Sequence, residues 1–301
     1  MSSASLVFAR ALPRVLDTLS HGLEHMARSS SDANRVVRFL RGYVAFEPRA
    51  SDVFVATYPR SGTTWMQAIV YLITRNRGFD FEHISEVVPW WERSLALGTR
   101  RARDFEDIDP PRLFKTHLPK TWLPRGCRYI YIVRDAADVA VSYYHLYRSH
   151  LGFQGSFDAF FDRFVRGDLQ YGAWVKHVCG WQAHQRDPNV LFLRYEAMRS
   201  QPRRAIEQVA EFLGTPLAAR DVTRIAEWTS FASMKAHEAK FDHLGELRLQ
   251  RGLHANAFIR RGRTGDGAQY LDPDQRARLA ASIRRPPSLA NVELALPRFL
   301  Q

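Results

Sequence analysis

Four short apolar runs constrain the fold of this chain more than any other feature. They are DVFVATY (Asp52 to Tyr58), RLFKTH (Arg112 to His117), RYIYIV (Arg128 to Val133) and VLFLRY (Val190 to Tyr195), rich in β-branched and aromatic residues. Near-continuous apolar strands suit a parallel sheet covered on both faces, since a sheet with one wet face would alternate apolar with polar. Helical patterns intervene: TTWMQAIVYLI follows the first run, DAADVAVSYYHLYR the third and QPRRAIEQVAEFLG the fourth. In the last of these, Pro202 suits a first helical turn and Gly214 suits the left-handed residue that ends a helix. Strand–helix alternation predicts an α/β fold, a single domain with a central, mostly parallel β-sheet flanked by helices.

The 301 residues are enough for one such domain. No internal repeat or low-complexity linker divides them, and Pro110-Pro111 and Pro286-Pro287 mark no change of composition. Residues 1–42 are read as an N-terminal helical extension packed on the domain, and 43–301 as the domain itself. Val7, Phe8, Ala11, Leu12, Val15, Leu16 and Leu19 fall at helical spacing, with Arg10 and Arg14 between them. A transit peptide or a membrane-surface helix would carry the same pattern as a packed one. No stretch approaches the roughly 20 apolar residues of a transmembrane helix, and the first residues lack the apolar core of a secretory signal. No stable membrane insertion and a cytoplasmic location are therefore expected. Cys127 and Cys179 form no disulfide framework and no zinc spacing, which fits a reducing compartment.

The net charge of +12 favours an anionic partner: nucleic acid, an acidic membrane or a polyanionic small molecule. Of the 43 basic residues 38 are Arg, the better fork for phosphate and sulfate oxygens, although codon bias alone can produce such an excess. Ligands of open parallel sheets sit beyond the carboxyl ends of the strands, so the residues that follow each strand matter most. After the first comes YPRSGTTW, Tyr58 to Trp65. A strand, a turn with Ser61 and Gly62, and a helix opening at Thr63 and Thr64 can cradle an anion on backbone N–H groups and the helix dipole. SGTT alone reads equally well as a simple helix cap; Arg60 at the mouth favours the anion. The turn is not a Walker A loop, because it lacks the first Gly and the Gly-Lys pair.

The second strand ends in Lys115, Thr116 and His117. Alternation places Lys115 and His117 on one face, a cation beside an imidazole, which is a plausible electrophile and general-base couple. The third strand ends in Arg134, and Ser142 lies about two turns along the helix that follows.

These segments resemble the cytosolic sulfotransferase family. YPRSGTTWMQAI is similar to its 5′-phosphosulfate motif, RLFKTHLP to its catalytic-histidine segment and IVRDAADVAVSYYHLY to its 3′-phosphate motif. RYEAM (Arg194 to Met198), TSFASMK (Thr229 to Lys235) and FIRRGRTGD (Phe258 to Asp266) resemble three further segments in the family's order. The resemblance implies a P-loop-like sulfotransferase architecture. The implied reaction is transfer of a sulfuryl group from 3′-phosphoadenosine 5′-phosphosulfate (PAPS) to a hydroxyl by in-line displacement, leaving adenosine 3′,5′-bisphosphate (PAP). It implies that Ser61, Gly62, Thr63 and Thr64 hold the 5′-phosphosulfate. Arg134, Ser142, Arg260, Arg261 and Gly262 then hold the 3′-phosphate, and Trp65, Tyr195, Thr229 and Phe231 frame the adenine. His117 is the implied base, with Lys115 and Arg60 stabilising charge. The family uses no metal, and none is expected here.

Two positions depart from the family. Arg60 stands where the cytosolic family has Lys, as in tyrosylprotein and some bacterial sulfotransferases, and retained activity is expected. Gly267 stands where a Trp usually follows Gly-Asp, which predicts a looser closing segment. The family's dimer motif is unrecognisable in AQYLDPDQ, so the oligomeric state stays open. The acceptor expected is a small, hydrophobic alcohol or phenol, with Phe46, Trp90, Trp91, Tyr144 and Leu146 serving either as core or as pocket wall. A P-loop kinase would want a Gly-Lys-Ser/Thr ending and a magnesium-binding Asp. A nucleic-acid-binding protein would want interleaved aromatic and basic residues or a recognition helix, and no nucleic-acid partner is expected.

Overall fold

The computed structural model describes residues 31–242, 259 and 262–284. The amphipathic pattern from Val7 to Leu19 lies outside the described residues. Four strands pair in parallel in the order β2-β1-β3-β4: β1 is Val53–Thr57, β2 Leu113–Thr116, β3 Arg128–Val133 and β4 Val190–Arg194. Val53 is level with Leu113 on one side and Arg128 on the other, and Tyr129 is level with Val190. The four apolar runs are thus the four strands, trimmed by a residue or two at their ends.

Strand alternation divides the core in two. Val53, Val55, Leu113, Ile130, Ile132 and Leu193 face helices Thr63–Arg75, Pro202–Leu213 and Ala219–Trp228. Phe54, Ala56, Phe114, Tyr129, Tyr131 and Val190 face the other way, onto Phe39, Phe46, Trp91 and Trp181. Phe39 comes from a helix over 31–45 and meets Trp91 edge-on at 5.9 Å. A third cluster joins helix Ala136–His150 to helix Phe157–Arg166. Helix Pro202–Leu213 has Pro202 in its first turn and ends at Gly214, φ +69°. Among the described residues no helix is long and apolar enough to cross a membrane.

Asp52 and Arg112, each just before its strand, lock the amino-terminal end of the sheet. Arg112 donates from Nε and Nη2 to the two Asp52 carboxylate oxygens at 2.8 and 2.7 Å, and both residues are fully buried. The opposite, carboxyl end of the sheet carries the cleft.

Candidate active site

At the end of β1 the chain turns through Arg60 and Gly62, with φ +71° and +102°. Gly62 is required twice over. Its φ is one that L-residues avoid, and a Cβ there would stand 2.7 Å from Cδ2 of Tyr195. Helix Thr63–Arg75 then starts with no side-chain cap and no acidic residue in its first turn, so its N-terminal dipole faces the cleft uncompensated by protein charge. Ser61 is fully buried, and among the described residues its Oγ has no hydrogen-bond partner; the same holds for Nε1 of Trp65 and Nε of Arg134. Buried polar atoms are normally satisfied, so orphans gathered at one strand end call for a polar ligand.

Lys115 closes β2, and His117 follows one residue beyond its end. Both line the cleft together with Arg60, Gly62, Thr63, Thr64, Trp65, Arg134, Ser142, Tyr195, Thr229, Phe231 and Gly262. Of the described residues assigned to the donor or to the chemistry, only Ser61 stays behind the surface. Arg260 and Arg261 lie outside the described residues. Trp90 and Leu146 line the cleft, whereas Phe46, Trp91 and Tyr144 belong to the core.

The turn meets the 3′-motif directly. Nε of Arg60 donates to Oγ of Ser142 at 3.1 Å, and Nη1 of Arg134 donates to the Arg60 carbonyl at 3.1 Å. The Arg134 guanidinium lies over the Tyr195 ring at 4.5 Å, and that ring meets Trp65 edge-on at 5.8 Å. The Thr229 hydroxyl donates to the Ile225 carbonyl at 2.8 Å. Its lone pairs are therefore what it offers the cleft.

His117 is fixed at three atoms. Its backbone N–H donates to Oε1 of Glu92 at 2.9 Å, and its carbonyl accepts from Nε2 of His177 at 3.0 Å. Nδ1 lies 2.8 Å from the Thr57 carbonyl, which only accepts, so Nδ1 carries the hydrogen and Nε2 keeps the lone pair. The Trp90 and Tyr171 rings meet the imidazole edge-on at 5.0 and 5.2 Å. Burial, and then the neighbouring Lys115 charge, hold the His117 pKa well below the usual histidine value, so the ring is neutral at pH 7. Burial likewise pulls Lys115 down to about 7, with Glu92 opposing and Arg93 and Arg60 adding to the depression. Its Nζ sits 3.8 Å from the centre of the Trp90 ring. His177, also buried, is lowered to about 4.

Sequence reasoning missed Glu92, His177 and Thr57, whose partners lie far away in the chain, and the cleft residues Arg93 and Tyr171. It also predicted a loose segment at Gly267, and the structure differs. Asp138 accepts from the Gly265 and Gly267 N–H groups at 3.0 and 2.8 Å, and a Cβ at Gly267 would lie 2.5 Å from the Ala137 carbonyl carbon. The segment packs on helix Ala136–His150 too closely for any side chain at that position. Among the described residues no three His, Cys, Asp or Glu side chains gather as a metal site.

An open parallel sheet whose strand ends present an anion-cradling turn, fixed cations and a neutral buried imidazole defines a group-transfer enzyme of P-loop-like architecture. Residues 50–291 match the sulfotransferase domain family. The chain is 35% identical to Sulfotransferase 1E1 of Homo sapiens over 248 residues, 78% of this chain and 83% of that protein. Among solved structures it superposes on retinol dehydratase in complex with androsterone and PAP, with TM-score 0.72, 27% identity and 82% and 84% of the two chains covered. It also superposes on a mouse sulfotransferase complexed with PAP, with TM-score 0.64, 26% identity and 86% and 93% covered. The chain belongs to the sulfotransferase family, the class of enzyme that moves a sulfuryl group from PAPS.

Proposed function

We propose that this cleft transfers the sulfuryl group of PAPS to the hydroxyl of a small, largely apolar acceptor, with His117 as general base. One observation carries the reading: the Thr57 carbonyl fixes the His117 tautomer, which leaves an unprotonated Nε2 on a ring that lines the same cleft as Lys115 and the anion turn. The orphaned Ser61 hydroxyl and the open helix start suit the 5′-phosphosulfate, with Gly62, Thr63 and Thr64. Arg134, Ser142 and Gly262, joined by Arg260 and Arg261, would hold the 3′-phosphate. Trp65, Tyr195 and Phe231 would frame the adenine, and the Thr229 lone pairs would accept from its amino group.

PAPS supplies the activated sulfur and a stable leaving phosphate. The acceptor oxygen forms a bond to sulfur as its proton passes to Nε2 of His117. The bond from sulfur to the bridging phosphate oxygen breaks, and its electron pair leaves with PAP. Lys115 and Arg60 offset the charge that grows on the sulfuryl and phosphate oxygens. Nε of Arg60 also donates to Oγ of Ser142, which ties the sulfate-side cation to the 3′-phosphate motif. Trp90, Leu146 and Tyr171 supply apolar wall for the acceptor. A cytoplasmic location belongs to the same proposal.

The test is PAPS-dependent sulfation over a panel of phenols, steroids, aliphatic alcohols and amines. His117→Ala should lower kcat by about 10²–10⁴-fold while PAP still raises the melting temperature. Wild-type turnover in that variant would remove His117 from the chemistry, and no thermal shift with PAP would remove the donor.

A further inference from the structure

Beyond His117 the cleft reaches Arg93, which no motif marked. Arg93 follows Glu92 on helix Trp91–Leu97, is half-buried and lays its guanidinium over the Trp90 ring at 5.2 Å. Among the described residues it makes no ion pair and no hydrogen bond. None of the described residues lining the cleft is Asp or Glu. The ring face attracts a guanidinium but does not neutralise it. A partly dehydrated cation at an apolar wall, without an ion-pair partner among the described residues, is a binding element for an anion.

Its position separates it from the adenine end of the nucleotide, while the same Trp90 ring also carries Lys115, at 3.8 Å. Arg93 and His117 lie against the same Trp90 ring, at 5.2 and 5.0 Å, which puts them within about 10 Å of each other. Tyr171 shares that group, 5.2 Å from His117 and stacked on Trp90 at 6.5 Å. The rings that would frame the adenine, Trp65 and Tyr195, instead cluster with Arg134.

We infer that Arg93 is a specificity residue that selects acceptors bearing an anionic group, a carboxylate in the simplest case, on an aromatic or aliphatic scaffold. The inference rests on the sulfotransferase reading above. The preferred substrate is then a hydroxy acid whose hydroxyl and carboxylate stand within about 10 Å of each other, the span from His117 to Arg93. The carboxylate pairs with the guanidinium fork while Leu146 and Tyr171 cover the scaffold.

Matched pairs test it: 3-(4-hydroxyphenyl)propionate against its methyl ester, and 8-hydroxyoctanoate against its methyl ester, with saturating PAPS at pH 7. The wild-type enzyme should prefer the acid in kcat/KM by at least about tenfold, the equivalent of one charge-assisted contact. Arg93→Gln should bring the acid-to-ester ratio to about one, and Arg93→Lys should restore part of it. The ratio is internal to each variant, so a partly unfolded preparation does not distort it. A wild-type ratio at or below one overturns the inference and leaves the sulfotransferase reading intact. So does a ratio that Arg93→Gln leaves unchanged, which would assign the charge to the donor. Failure of every acid, ester and neutral phenol to accept sulfate overturns both.

Discussion

Replacing Lys115 by Met should make the ligand-free protein more stable, by about 5 kcal/mol at pH 6 and still by about 2 kcal/mol at pH 9. Lys115 is 4% exposed, and among the described residues its ammonium has no ion pair within 4 Å. Burial lowers its pKa from 10.5 to about 7, whereas the unfolded chain keeps the ordinary value. The folded state therefore penalises the charged form. That penalty is fully present below pH 7 and fades as pH rises from 7 toward 10.5, because there the unfolded state binds more protons. At 1.36 kcal/mol per unit the whole penalty is about 5 kcal/mol, and about 2 kcal/mol of it should disappear between pH 7 and 9. Tyr71 and Cys127, both raised to about 12, oppose this slope only near pH 9, where the unfolded chain begins to lose their protons, and they do so equally in both proteins. Urea unfolding at pH 6, 7, 8 and 9 measures the effect. Wild-type stability should climb by about 2 kcal/mol above pH 7 and that of Lys115→Met should stay flat, while the variant loses sulfation activity. Parallel curves for the two proteins would refute the reasoning, because a lysine that titrates normally has no slope there to lose.

Asp52→Ala removes the two-pronged partner of the Arg112 guanidinium, which keeps Glu106 and the Glu47 carbonyl, and should cost about 1–3 kcal/mol with kcat unchanged at a temperature where the variant is folded. Glu92→Ala should leave the His117 and Trp90 N–H groups without their acceptor at a cost of about 1–3 kcal/mol each and lower kcat, whereas Glu92→Gln, which keeps an accepting oxygen, should retain most of both. Gly267→Ala forces a methyl against the backbone of Ala137 and Asp138. It should lose about 1–3 kcal/mol and reduce the melting-temperature rise given by PAP, as read by thermal shift with and without the nucleotide.

The sheet was legible because its determinants are local. Val53 and Val55 face one way and Phe54 and Ala56 the other, and both sets are apolar, so the two-sided burial is visible within five residues. Gly62 was legible as part of the anion turn, but not the Tyr195 ring that its missing side chain admits, since that ring is contributed from the end of β4. The contact of Arg60 with Ser142 joins residues 82 positions apart, and nothing in either segment announces it. Gly267 shows the opposite error. A missing Trp was read as missing contact, whereas the absent side chain allows backbone to meet helix and puts two N–H groups on Asp138. Sequence reports which side chains exist, and it reports poorly the packing that their absence permits.

Glu92 and His177 show why the support of the imidazole escaped notice. Each is a single residue on a helix with no motif around it, and each acts on the backbone of His117 rather than on its ring. The carbonyl of His117 only accepts, so Nε2 of His177 must donate, and Nδ1 of His177 is left to accept from the Tyr131 hydroxyl at 2.9 Å. Protonating His177 would cost that second bond, which agrees with its lowered pKa and keeps this support neutral across the physiological range. The carbonyl of the base is thus held by a His177 that stays neutral near pH 7, and burial raises the Glu92 carboxyl above the usual carboxylate range, while Lys115 beside it titrates at about 7. Above pH 7, then, the imidazole keeps its geometry and protonation state as the adjacent cation loses charge. An alkaline loss of activity in this cleft would on that account belong to Lys115, and binding a polyanionic donor beside it, which favours the ammonium form, should move that loss to higher pH.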